Sequence, residues 1–250
     1  MIVKLRLTNF RNFKKKVLEF SDSITVIIGP NGIGKTNILE SLFLLSTGKS
    51  FKARIEEEMI NYVEDFAKVE GKTKEPRLDV VLTKNSTRKR LLVNGIARRM
   101  IDFAGHFKVV LFGPWDMDLV TESPSLRRRF LDTVLCQVDR EYRRSSASYE
   151  KGLRQRNRLL FRIREEGLSR NQLLFWNQLL IRNGDYITAK REELIDFVNQ
   201  KPSLNEQNFS LDYDRSVISE SRLEQYKDEE IAAATTLVGP HRDDFIFKMG

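Results

Sequence analysis

Apolar and polar residues alternate over residues 2–8, with Val3, Leu5 and Leu7 on one side and Lys4, Arg6 and Thr8 on the other. This period-two pattern predicts a half-buried strand. Asn9–Asn12 reads as a turn and Val17–Phe20 as a second strand. Ile24-Thr-Val-Ile-Ile28 is short, apolar and β-branched, which predicts a strand buried on both faces. In Asn37–Leu45, residues Ile38, Leu42 and Leu45 fall at helical spacing. Arg77–Thr83 and Arg88–Val93 read as further strands, with the polar Lys84–Thr87 turning a hairpin and Asn94-Gly95 turning the chain again. Val109–Phe112 is another apolar run, stopped by Gly113-Pro114. Strands mixed with one helix give this portion an α/β character.

From about Ser125 the pattern changes. No proline occurs between Ser125 and Lys201, and Leu, Phe and Trp recur every three or four residues among Arg, Glu and Gln. Long helices over 125–166 and 169–199 are expected, broken at Gly167, with kinks at Gly152 and Gly184 and an end at Pro202. The polar stretch to Glu230 has little pattern, and Ala232–Val238 reads as a strand or short helix leading to Gly239-Pro240. The expected organisation is an α/β lobe over 1–122, an inserted helical arm over 123–230, and a segment over 231–250 returning toward the lobe.

The 250 residues, with 16 Phe and 6 Tyr, suffice for a substantial core. No run approaches the ~20 apolar residues of a membrane-spanning helix. Cys136 is alone, which rules out an intrachain disulfide and makes a reducing cytoplasm the simplest compartment. The net charge is +8. Residues 127–164 carry twelve Lys or Arg against four acids, an excess equal to the charge of the whole chain. Charge placed this way suits phosphate polymers; the alternative is a solvated helix face with local ion pairs.

Gly29-Pro-Asn-Gly-Ile-Gly-Lys-Thr36 matches G-x-x-x-x-G-K-[ST] without gaps. Glycines let the backbone curl so that successive N–H groups point inward, and the following helix turns its positive end to the same anion. The residues expected to bind ATP are Gly29, Pro30, Asn31, Gly32, Ile33, Gly34, Lys35, Thr36 and Asn37. Lys35 would reach the β- and γ-phosphates, and the Thr36 hydroxyl would meet Mg²⁺. The loop alone does not specify a reaction.

Further segments carry a resemblance. Leu5-Arg-Leu-Thr-Asn-Phe-Arg-Asn-Phe13, the loop extended through Asn37-Ile-Leu-Glu40, and Gly48-Lys-Ser-Phe51 occur in order. Ser123-Pro-Ser-Leu-Arg-Arg-Arg-Phe-Leu-Asp132, Gly152-Leu-Arg-Gln-Arg-Asn157 and Gly239-Pro-His-Arg-Asp-Asp-Phe245 follow. Together they make the chain resemble the RecF family, bacterial DNA replication and repair ATPases related to the Rad50/SMC branch of ABC-type ATPases. The resemblance implies a P-loop ABC-type ATPase head, with a mixed sheet and P-loop helix, carrying an inserted α-helical arm. It implies binding to double-stranded DNA and single/double-strand junctions, recombinase loading, RecR as a partner, an ATP-dependent homodimer and a cytoplasmic, nucleoid-associated location. It also makes Arg11 a candidate phosphate contact, and Leu111–Met117 a candidate γ-phosphate-sensing loop with Trp115 where the family usually has an acid. Residues 241–244 match a family hallmark, either a charged turn held by internal ion pairs or a part of nucleotide response or DNA contact.

Two elements of ABC-type ATPases are absent from the sequence: an apolar run ending in Asp-Glu, and a Ser-Gly-Gln signature. No catalytic residue is therefore assigned, and a shortened chain with slow hydrolysis is the expectation. Arg127, Arg128, Arg154 and Arg156, on predicted helix, are the expected DNA contacts. The alternative, a small-molecule kinase or transporter ATPase subunit, is disfavoured by the Arg-rich arm and the 239–245 segment.

Overall fold

The computed structural model describes residues 1–84, 89–200 and 207–249, which form two compact units. The first comprises Met1–Leu111 and Cys136–Arg140; the second comprises Phe112–Leu135 and Glu141–Gly250. The segment over 231–250 is counted with the second unit.

The first unit is built on a sheet of β1 (Ile2–Phe10), β2 (Phe13–Glu19), β3 (Phe66–Thr73), β4 (Arg77–Thr83), β5 (Arg90–Val93) and β6 (Ile96–Arg98). Its order is β2-β1-β3-β4-β5-β6, and each neighbouring pair is antiparallel. Leu5 and Leu7 are fully buried, as their alternation predicts. A register shift between Ile2 and Lys4 displaces the pattern at its start, so Ile2 is buried while Val3 is half-buried. The β5–β6 hairpin turns on Asn94 and Gly95, both at positive φ (51° and 80°), as a two-residue turn of the primed type requires. The turn between β4 and β5 lies partly outside the described residues.

Helix α1 (Lys35–Thr47) lays Ile38, Leu44 and Leu45 against this sheet, and α2 (Met100–Phe103) adds Phe103. Gly48 ends α1 in the left-handed region, its N–H bonded to the Leu44 carbonyl at 2.8 Å. Gln137 is also in this unit, its Oε1 accepting from the Ser46 hydroxyl and the Val109 N–H.

The strand expected over 24–28 does not form. Ile24, Val26 and Ile28 are 80%, 75% and 87% exposed, and Val110 and Phe112 are similarly bare. A strand buried on both faces needs hydrogen-bonded neighbours on both edges. Among the described residues none lies beside this run, so apolar composition alone does not make it a strand.

The second unit opens with the short α3 (Asp118–Thr121), then α4 (Pro124–Val138) up to Leu135 and α5 (Arg140–Glu166) from Glu141; the two helices meet at Asp139 where one helix was expected. Helix α6 (Leu174–Asn199) is followed by β7 (Phe209–Asp214), α7 (Glu220–Gln225), α8 (Lys227–Ala233) and β8 (Asp244–Met249). β7 and β8 pair antiparallel. The expected stop at Pro202 lies outside the described residues. Gly152 and Gly184 are close-packing positions within unbroken helices. A Cβ at Gly152 would stand 2.5 Å from a Leu179 methyl, and one at Gly184 would stand 2.6 Å from an Ile218 methyl. No helix among the described residues is long and apolar enough to cross a membrane.

Leu5→Ala should lower the stability of the first unit by about 2–5 kcal/mol, because it opens a cavity in close-packed sheet core. Denaturant unfolding followed by circular dichroism checks this; a loss below ~1 kcal/mol would mean the site collapses around the smaller side chain.

Candidate nucleotide-binding site

The P-loop leads into the N-terminus of α1. Gly29, Gly32 and Gly34 all have positive φ (154°, 82° and 109°), so the backbone curls as L side chains rarely permit. Gly34 caps α1 with no side-chain hydrogen bond, leaving the first helical N–H groups available to an anion. Lys35 Nζ donates to the carbonyls of Gly29 and Pro30 at 2.7 and 3.0 Å, holding its ammonium across the loop. Asn31, Ile33 and Thr36 are exposed, so the Thr36 hydroxyl is open to solvent. The curled backbone, ammonium and hydroxyl fit a triphosphate with Mg²⁺, which takes few protein ligands and relies on phosphate oxygens and waters.

The β1–β2 turn braces this loop. Asn12 Nδ2 donates to the Ile33 carbonyl at 3.0 Å, and Asn37 Nδ2 donates to Asn12 Oδ1 at 2.9 Å. The Phe13 ring and Asn12 fill the space a Cβ on Gly34 would need. Arg11 has every guanidinium nitrogen engaged. Nε and Nη2 donate to the buried Glu40 at 2.9 and 2.7 Å, and Nη1 donates to the Glu58 carbonyl at 2.6 Å. In this arrangement Arg11 ties the turn to α1 instead of reaching out from the loop. Asn12 is the residue of the turn that meets the loop, and sequence reasoning missed it.

Three of the four arginines expected to contact DNA have partners within the chain. Arg156 is 2% exposed and bonds to Glu230 (2.6 Å), Asn177 and Thr236. Arg127 grips Asp244 with two nitrogens at 2.7 and 3.0 Å and donates to the Leu119 and Glu122 carbonyls. Arg128 donates to the Asp243 carbonyl at 2.6 Å, and burial together with Arg191 lowers its pKa. Only Arg154 is well exposed, at 64%, in a helical pair with Glu150. Helix α5 turns 156 inward, on the same stripe as Gly152 and Leu160.

Residues 241–244 lie within the arm's interior network. Asp243 is fully buried and accepts from Arg191 (2.9 Å), the Tyr213 hydroxyl (2.5 Å) and the Ser216 N–H (2.7 Å). Arg191 also bonds to Asp132, Tyr142 and the Pro240 carbonyl. Burial disfavours its charge, but Asp132, Tyr142 and Asp243 more than offset that and raise its pKa. His241 accepts from the Tyr149 hydroxyl at Nδ1 and donates from Nε2 to the Thr236 carbonyl. Burial drives its pKa down to about 4, so it is neutral at pH 7. These contacts support the ion-paired-turn alternative. Asp116 accepts from the Gly113 N–H, closing its own turn.

A curled glycine loop feeding a capless helix, in a chain that also folds a helical arm, defines a P-loop ATPase head. A family model described as "AAA domain" matches residues 4–236. The protein named "DNA replication and repair protein RecF" from Lachnoclostridium phytofermentans is 37% identical over 99% of this chain and 73% of its own length. Its namesake from Halalkalibacterium halodurans is 36% identical over 98% of this chain and 72% of its own. A solved structure, "Structure of the recombination mediator protein RecF-ATPrS in RecFOR pathway", superposes with a TM-score of 0.92 at 29% identity, over all of this chain and 73% of that one. The chain belongs to the RecF family.

Asp243→Ala should cost the second unit about 3–5 kcal/mol, because it removes one of the two carboxylates facing the buried Arg191 and the acceptor of the Tyr213 hydroxyl and Ser216 N–H. Denaturant unfolding followed by Trp176 fluorescence checks this, and a change under 1 kcal/mol contradicts it. Because the folded pKa of His241 is depressed, stability is full above the unfolded pKa, near 6.5, and falls as pH drops toward 4. His241→Gln should flatten that fall in midpoints measured between pH 7 and 4; an unaltered slope contradicts the assignment.

Proposed function

We propose that this chain binds ATP with Mg²⁺ through residues 29–37 and associates with double-stranded DNA, as an ATP-dependent protein of DNA replication and recombinational repair. The observation that carries the reading is the loop itself: three positive-φ glycines, an uncapped helix start and the Lys35 ammonium turned inward. Relatives named for DNA replication and repair, and a related RecF solved with ATP, supply the biological setting.

When bound, ATP would supply a polyanionic tail and Mg²⁺ a countercharge for it. The chain's part is to bind and orient that tail. Loop amides and the start of α1 would receive the phosphates, Lys35 would exchange its carbonyl partners for phosphate oxygens, and Thr36 would offer a hydroxyl to the metal. Arg11, through Glu40, holds the turn that presses Asn12 and Phe13 on the loop; if it touches phosphate, it must first leave that carboxylate. Positioned charge accounts for most phosphoryl-transfer catalysis, but an oriented nucleophile is also needed. The sequence holds neither an apolar run ending in Asp-Glu nor the Ser-Gly-Gln signature. Turnover by this chain alone is therefore proposed to lie near background. Engagement of RecR, an ATP-dependent homodimer and a preference for single/double-strand junctions belong to the same proposal.

Calorimetric titration of ATP with Mg²⁺ should give saturable binding that Lys35→Ala weakens at least tenfold, which is about 1.4 kcal/mol. Equal affinity for both proteins would remove Lys35 from the site. Brisk ATPase activity in the parent, lost in Lys35→Ala, would contradict the near-background turnover.

A further inference from the structure

Helix α5 has two faces of opposite character. Tyr142, Ser145, Tyr149, Gly152, Arg156 and Leu160 run along its buried side at three- and four-residue steps. The exposed side carries Arg144, Lys151, Arg154, Arg158 and Arg162, again at helical repeats. At 1.5 Å per residue the line spans about 27 Å, a length over which duplex DNA presents roughly sixteen phosphate charges at one per 1.7 Å.

The acids on this helix do not cancel the line. Glu141, Glu150 and Glu166 sit three or four residues from Arg144, Arg154 and Arg162 and pair with them on the surface. Such exposed pairs are worth at most about 1 kcal/mol, so a phosphate can replace the carboxylate cheaply. Lys151 and Arg158 are exposed and have no ion-pair partner among the described residues. They stand two turns apart on one side, with Arg154 between them.

We propose that this outer face of α5, centred on Lys151 and Arg158, is the surface that holds the backbone of double-stranded DNA. The inference rests on the duplex-binding reading above and assigns it to residues other than the half-buried, internally bonded Arg127 and Arg128 and the buried Arg156. The occupant follows from charge complementarity: a row of cations at helical repeats, in which Phe161 is the one exposed large apolar side chain of the described helix, matches a regular polyanion. Backbone contact of this kind carries no base preference.

The test is binding of a blunt-ended linear duplex to the full chain across a salt series. Lys151→Gln combined with Arg158→Gln should weaken binding at least fivefold at low salt. It should also reduce the log K against log salt slope by about 2, near 0.9 per lost phosphate contact. ATP titration should be unchanged, because neither residue touches the P-loop. Lys72→Gln with Lys74→Gln removes the same charge from exposed positions of the first unit and should leave the slope within a few tenths of the parent's. If the parent binds duplex and the α5 variant keeps its affinity and slope, or the control variant loses as much, the assignment to α5 is overturned while duplex binding stands. If the parent fails to bind duplex even at low salt, the duplex-binding reading falls, and this inference with it.

Discussion

The first unit turns on one crowded point, Gly34. Its φ of 109° suits the bend from loop into helix, and the Phe13 ring and Asn12 occupy the space where a side chain would stand. That contact fixes the β1–β2 turn against the start of α1. The turn is fixed in its own right by Arg11, whose guanidinium is spent on Glu40 and Glu58. Glu40 lies on α1, so loop, turn and helix form a closed set of contacts. The amides at the head of α1 stay oriented because that set leaves the backbone no room to relax. Any glycine loop can curl; this one is held curled.

In the second unit the same physics acts through buried arginines. A guanidinium removed from water must have its donors satisfied, and each one here reaches a residue distant in sequence. Arg156 finds Glu230 and Arg191 finds Asp132 and Asp243, while the half-buried Arg127 finds Asp244. Replacing either partner leaves a buried charge, which costs far more than losing a surface pair. These pairs tie α4, α5 and α6 to the segment over 230–244. The arm's arginines thus divide into those that bond within it and those exposed on its surface.

The P-loop was legible because its chemistry is local: eight consecutive residues dictate the curl and the charge. The alternation in β1, the span of β4 and the helical period of α6 were also legible, since each is a local pattern facing a single core. What failed were inferences that needed to know a partner. Residues 24–28 have the composition of a buried strand, but pairing decides strands, and among the described residues no strand runs beside them. Gly152 and Gly184 look like weak points in a helix until Leu179 and Ile218 are seen against them. Arg156 looks like an exposed cation because nothing nearby in sequence announces Glu230, 74 residues away. β3 went unread although Ala67, Val69 and Gly71 alternate cleanly with polar neighbours, a signal that was available.

The central claim is that the amides of residues 31–36 and the Lys35 ammonium enclose a triphosphate. Amide hydrogen exchange of the chain, with and without ATP and excess Mg²⁺, tests it most directly. The account predicts slowed exchange concentrated at the loop and the first turn of α1, and little change in the arm. Exchange at residues 31–36 that stays as fast with saturating nucleotide as without it would contradict the account.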